Sequence, residues 1–331
     1  MYEDEWCSRV LQPQRRDRLG SSGFQLVNYP ARLSHGGFIV SSRVRLRNAK
    51  VGIVPLNWKY DPAHKESFLR RISEYGFKGI QVSCEQSDSA EFRGFMKQYG
   101  IEAAEIYVPI RCTVDGVIAG EDQEIEKILK SGAQSKVQNA VFAIDGSKDR
   151  DESAANADAG PGFTEAGFQS VANCVEKWAA YAHELGMASS FHPHGGTYIE
   201  TPRETKTLMS RLSEKVSLCL DVGHWLVGGG DPVAAAREYG KRITHVHVKD
   251  VSGEVLQKMK NKEVPNMGYA VDELKLFVPA GTGLLQVREL FIALEESGFS
   301  GWLMSEQDTA WEPTEEKSAE SMANIQKGLA D

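Results

Sequence analysis

The chain has 331 residues, 41% of them hydrophobic and 25% charged, which suits one large barrel or two ordinary domains with a buried core. Its formal charge of −8 argues against a nucleic-acid partner, because nucleic-acid binding asks for a basic face. Its apolar stretches stay well short of the roughly 20 residues that a membrane-spanning helix needs, so no membrane partner is expected.

Residues 1–50 differ from the rest. They carry the cluster Arg15-Arg16-Asp17-Arg18 and then Ser/Gly punctuation, with no sustained period, although residues 37–44 are compatible with a short strand. We expect a flexible extension outside the folded domain. Its first seven residues are acidic and lack an apolar run, unlike a secretory signal, and the acidic residues also disfavour a transit peptide.

From Val51 the chain repeats one grammar: a short apolar run, a polar loop, an amphipathic helix, then a glycine before the next run. Eight runs are expected as strands, at 51–54, 79–82, 104–108, 140–144, 187–191, 216–220, 243–247 and 302–305. Continuous apolar runs of this length suit parallel strands buried on both faces. Helices are expected over 61–75, 87–99, 121–130, 165–185, 202–212, 232–239, 286–297 and 313–329. Thr201-Pro202-Arg203-Glu204 combines an N-cap, proline in the first turn and a capping-box glutamate, and Asp231-Pro232 opens a helix in the same way. Gly76, Gly100, Gly186 and Gly298 fall where a helix end needs positive φ.

Eight βα units predict a closed (β/α)₈ TIM barrel over 51–331. An open doubly wound sheet would favour a glycine-rich phosphate loop after its first strand, where this chain has Pro55-Leu56-Asn57-Trp58. The segments 145–163 and 251–283 are long and follow the fourth and seventh strands, at the mouth where barrel active sites lie.

Five cysteines, Cys7, Cys84, Cys112, Cys174 and Cys219, are scattered without a CxxC pair. That spacing fits neither a disulfide framework nor a thiolate zinc site, and a reducing, cytoplasmic setting is expected.

Histidines concentrate the chemistry. Five of eight lie between 192 and 247, each at or just after an expected strand end. His192 and His194 fall on one side of an extended segment, Asp221 precedes Val222-Gly223-His224, His245-Val246-His247 leads to Lys249, and Glu306 ends the last strand. One HxH alone is more often a paired surface or core feature. Imidazoles and carboxylates ending four successive buried strands point instead to one divalent ion bound among them. Mixed N/O ligands suit Mn²⁺, Co²⁺ or Zn²⁺. Lys249 is a candidate oxyanion partner or acid–base group. Trp58 and Trp225 are candidate walls against a sugar ring, with core packing as the alternative.

The series His192-x-His194-x-Gly196-Thr197, Leu220-Asp221-x-Gly223-His224, Gly230-Asp231-Pro232, His245-Val246-His247-x-Lys249-Asp250 and Gly301-Trp302-x-x-x-Glu306-Gln307-Asp308 resembles the xylose-isomerase-like TIM-barrel superfamily of sugar isomerases and epimerases. With Pro55-Leu56-Asn57-Trp58, it is most similar to the inosose dehydratase branch. The resemblance implies that Asp221, His247 and Glu306 are metal ligands and that His224 and Lys249 contact substrate. Asn57 and His245 are further candidates for substrate contact. The fourth ligand, usually glutamate, is His192 here. Other departures are His192-Pro193-His194 for three histidines, Gly281-Thr282-Gly283 for Gly-Glu-Gly, and Gln81 or a neighbour for a second-strand glutamate.

The expected reaction is therefore dehydration of a ketopolyol such as 2-keto-myo-inositol, with His224 or His194 as base and Lys249 or the other histidine as acid. Isomerisation or epimerisation of a keto-sugar is the main alternative. A metal-dependent endonuclease and a non-catalytic sugar-binding barrel are the others. Association with copies of itself is left open.

Overall fold

The computed structural model describes Leu46 and residues 49–330. Leu46 is buried in the main core and Lys50 opens the first strand, so the barrel begins a few residues before the expected boundary at 51. The rest of the expected extension, including its short strand at 37–44, lies outside the described residues.

Eight parallel strands close on themselves. They are β1 Lys50–Val54, β2 Gly79–Gln81, β3 Glu102–Ile110, β4 Asn139–Ile144, β5 Ala188–Phe191, β6 Val216–Asp221, β7 Ile243–Val248 and β8 Trp302–Glu306. Each pairs with its sequence neighbours, and β1 pairs with β8 through Val51↔Leu303 and Val54↔Glu306. The outer layer is α1 Lys65–Glu74, α2 Ala90–Tyr99, α3 Glu121–Gln134, α4 Glu165–Glu184, α5 Pro202–Met209, α6 Pro232–Tyr239, α7 Val287–Glu296 and α8 Thr314–Ala330. The expected (β/α)₈ barrel is therefore the fold. No helix among the described residues is long and apolar enough to cross a membrane.

The expected helix signals operate as written. Thr201 and Glu204 close a reciprocal capping box at α5, and Asp231 accepts from the backbone N–H groups of Val233 and Ala234 at α6. Gly76, Gly100, Gly186 and Gly298 adopt φ of 91°, 65°, 86° and 76°, a region where a Cβ is strained. The expected helix at 87–99 is two pieces, Cys84–Asp88 and α2, because Ser89 starts a new N-cap by accepting from the Phe92 N–H.

The two long segments are not irregular. Residues 145–163 contain a helix, Lys148–Ser153, whose Arg150 is wholly buried and forms a bidentate pair with Glu204 at 3.0 and 3.1 Å. Residues 251–283 contain the helices Gly253–Lys260 and Met267–Asp272 over a separate apolar cluster that includes Val255, Leu256, Met259, Met267 and Phe277. Asp151 accepts from the Gly268 N–H at 3.0 Å and joins the two segments. Asp250 anchors the second, its carboxylate accepting from the N–H groups of Val251, Gly281, Gly283 and Leu285 at 2.7–3.0 Å.

Candidate active site

Strand register brings the expected ligands together. A shift between Leu218 and Cys219 sets Asp221 of β6 opposite His247 of β7, while His247 pairs with Met304 of β8, two residues before Glu306. His192 follows the last residue of β5. All four side chains are buried, and one ligand atom from each lies within 4.8 Å of the others.

The contacts within this group are those of atoms aimed at a shared point. His192 Nε2 lies 3.1 Å from Asp221 Oδ2. His247 Nδ1 lies 2.6 Å from Glu306 Oε2 and 3.6 Å from Asp221 Oδ2. His247 Nδ1 and Glu306 Oε2 are both buried and meet out of hydrogen-bond alignment. Two imidazoles and two carboxylates buried within 4.8 Å of one another, with this pair poorly aligned for a hydrogen bond, fit a bound cation. Two imidazoles and two carboxylates are a donor set for a borderline divalent metal.

Asp221 has a second duty. Its Oδ1 accepts from the His224 backbone N–H at 2.9 Å and caps the short helix Val222–Val227. The same carboxylate thus orients the turn that carries His224. Gly223 has to be glycine there, because a Cβ would overlap the Lys249 stem.

Lys249 is wholly buried at the centre of the site. Its ammonium lies 2.6 Å from Asp308 Oδ2, 3.0 Å from Asp221 Oδ2 and 3.1 Å from Glu306 Oε2, over the Phe277 ring at 4.9 Å. Burial alone would lower its pKa, but the carboxylates of Asp221, Asp308 and Glu306 more than reverse that and hold it above the usual lysine range. Asp250, the residue that follows Lys249, faces the Gly281–Gly283 backbone instead.

His194 and His224 stack beside this ammonium with ring centroids 3.6 Å apart. His194 Nδ1 lies 2.7 Å from the Gly195 carbonyl oxygen, which only accepts, so Nδ1 carries the hydrogen and the lone pair is on Nε2. His224 faces two donors, Gly195 N–H at Nδ1 (3.2 Å) and Lys249 Nζ at Nε2 (3.2 Å), with only one lone pair when neutral. Burial, then the charge of His192 and Lys249, pushes the His194 imidazole down to about 3. Burial, with His194 and Lys249, likewise holds His224 well below its usual range.

Four expected substrate contacts have partners within the protein. Trp58 is a core residue: its ring packs edge-on against Phe68 and Tyr75, and its Nε1 donates to Ser318 Oγ of α8. Trp225 is buried edge-on to Tyr239. Asn57 donates to the carbonyl oxygens of Gln307 and Asp308, tying the first loop to the last. His245 sits two residues before His247 on β7, buried inside the barrel, and is hydrogen-bonded to Glu105. Aromatic and amide side chains fill gaps and satisfy backbones as readily as they bind sugars, and spacing alone does not separate those duties.

Two residues went unnoticed. Glu105 of β3 is wholly buried and accepts from both His245 and His247. A signal existed: it is a carboxylate inside the apolar run 104–108, where an unpartnered charge is costly. Asp308, inside the final motif but given no role, pairs with Lys249.

Residues 69–328 match the family described as the xylose isomerase-like TIM barrel. The chain belongs to this family. Within it, the chain is 28% identical over 288 residues to the rhizopine catabolism protein MocC of Rhizobium meliloti, covering 80% of this chain and 83% of that one. It is 27% identical over 285 residues to an inosose dehydratase of Geobacillus kaustophilus, covering 79% and 88%. The xylose isomerase-like fold is shared with the solved IolI protein, whose structure has a bound zinc atom. That likeness has a TM-score of 0.61 at 14% identity and covers 84% of this chain and 96% of the other.

Proposed function

We propose that this protein is a metal-dependent lyase that removes water from a ketopolyol of the inosose class, such as 2-keto-myo-inositol. The observation that carries the reading is the side-by-side placement of a four-ligand group, a stacked histidine pair and a buried ammonium at the barrel mouth. The family relatives named inosose dehydratase support the substrate class.

His192, Asp221, His247 and Glu306 would hold one divalent ion, Mn²⁺, Co²⁺ or Zn²⁺ by their donor types. Zinc also accompanies the IolI protein. Bound there, the ion supplies Lewis-acid polarisation of the substrate ketone and stabilises the charge that develops on its oxygen.

The chain's own residues then handle protons. His194 Nε2 takes the proton from the carbon next to the ketone, and that C–H pair becomes the new C=C bond. The β-hydroxyl leaves as water, its C–O pair departing with the oxygen and its added proton coming from the Lys249–His224 pair. Tautomerisation of the resulting enol gives a dione, so no oxidant or reductant is required. Stacking on His224 fixes the His194 ring, and preorganised charge lowers the cost of the transition state.

Incubation of the purified protein with 2-keto-myo-inositol and Mn²⁺, Co²⁺ or Zn²⁺ tests the reading. We expect metal-dependent growth of the ultraviolet absorbance of a conjugated dione, abolished by a chelator. Conversion to an isomeric ketose without that absorbance would replace the lyase with an isomerase or epimerase.

A further inference from the structure

We infer that Glu105 is a positioning residue that selects the tautomer in which His247 can bind metal, acting from the opposite wall of the barrel. The inference rests on the proposal that His247 is a ligand. In the closed order of eight strands, β3 and β7 are four steps apart in either direction. Glu105 therefore reaches across the barrel interior to meet β7.

For the neutral His247 that metal binding requires, the geometry leaves one arrangement of hydrogens. Glu105 Oε2 lies 2.9 Å from His247 Nε2 and also bonds His245 Nε2. A carboxylate only accepts, so both Nε2 atoms carry hydrogen. The remaining lone pair of a neutral His247 is then on Nδ1, the atom 2.6 Å from Glu306 Oε2. The other tautomer would point a lone pair at a carboxylate and a hydrogen at the metal position. His245 supplies the second donor that holds Glu105 in line, which gives that buried histidine a purpose beyond packing.

The placement is hard to explain by packing alone. Burying a carboxylate is costly before its partners are counted. An apolar side chain on β3 would span the barrel at lower cost. Carboxylate partners orient metal-bound histidines in general and raise their basicity.

The test is a Zn²⁺ titration of the folded, metal-free protein, comparing wild type with Glu105→Gln. The amide keeps the shape but turns one donor toward the imidazoles. We expect Zn²⁺ affinity to fall about 10–100-fold while the circular dichroism of the metal-free protein stays unchanged. Equal affinity in the two proteins overturns the inference and leaves the metal reading intact. Absence of Zn²⁺ uptake by the wild type overturns both. Should Glu105→Gln fail to fold, ¹⁵N-histidine NMR of the Zn²⁺-loaded wild type decides. A hydrogen on His247 Nε2, assigned by its loss in His247→Gln, is expected, and zinc on Nε2 overturns the proposal.

Discussion

The rings of His194 and His224 lie 3.6 Å apart, although one follows β5 and the other sits in the first turn of the helix after β6. His224 touches Asp221 only through its backbone N–H, which any replacement except proline retains. We therefore expect His224→Gln to bind metal as the wild type does while turnover falls about 10²–10⁴-fold, the span of a lost acid–base group. His194→Gln should behave alike. Activity measured across a metal titration checks this. Full recovery at high metal would make His224 a support for the metal rather than a participant in the chemistry.

Metal occupancy should depend on Asp221 and Glu306 separately from folding. Asp221→Asn keeps an N-cap of about equal strength at the helix Val222–Val227 but removes the charge. Glu306→Gln does the same for charge at β8. Both variants should lose bound metal and keep a barrel circular dichroism spectrum, since barrel stability rests on its core and the opposite face. Elemental analysis reads the outcome, and stoichiometric metal in both would show that the centre lies elsewhere.

Asp250 should matter to stability, not to metal. Its buried carboxylate accepts from four backbone N–H groups, of which those of Val251 and Leu285 belong to buried residues. Asp250→Ala is expected to cost roughly 3 kcal/mol or more, because buried donors are left without acceptors. Urea denaturation measures the loss. A cost below about 0.5 kcal/mol, the range of ordinary surface changes, would mean that the segment rearranges freely.

Glu200 gives the stability a pH dependence. Its carboxylate accepts from Gly196 N–H at 2.8 Å and Ala155 N–H at 2.9 Å, with Arg150 and Glu204 nearby. Burial raises it to about 7, outweighing the two backbone donors and Arg150, while Glu204 adds to the rise. The folded value is above the unfolded one of about 4.3. Its contribution to stability is thus complete below that unfolded value and is lost as pH rises through about 7. Glu200→Gln should flatten this component: the difference in melting temperature between variant and wild type grows in the variant's favour from pH 5 to pH 8. A difference independent of pH would remove Glu200 from the account.

Much of this architecture was legible because local chemistry writes it in short range. Apolar runs of four or five residues, helix caps at Thr201 and Asp231, and positive-φ glycines such as Gly76 and Gly298 need only neighbouring residues to act. The period of strand, loop and helix then left few closures besides the barrel. The grouping of His192, Asp221, His247 and Glu306 was legible for a related reason: each lies at or next to a strand end, and parallel strands that close must bring their ends together.

What only the tertiary structure decided is how residues far apart in sequence share one interior. Glu105 and His247 are 142 positions apart, and no local pattern says that their strands are diametrically opposed. Lys249 could have paired with adjacent Asp250, but the backbone turns Asp250 toward Gly281 and Gly283 and leaves Lys249 to Asp221, Glu306 and Asp308. Trp58 and Trp225 carry the composition of a sugar wall, yet the rings pack into the protein because burying a large aromatic surface is favourable wherever a gap admits it. Sequence spacing assigns a side chain to an element and a face. Which buried charge meets which donor depends on strand register and on the direction of each side chain, and both are set by packing of the whole barrel.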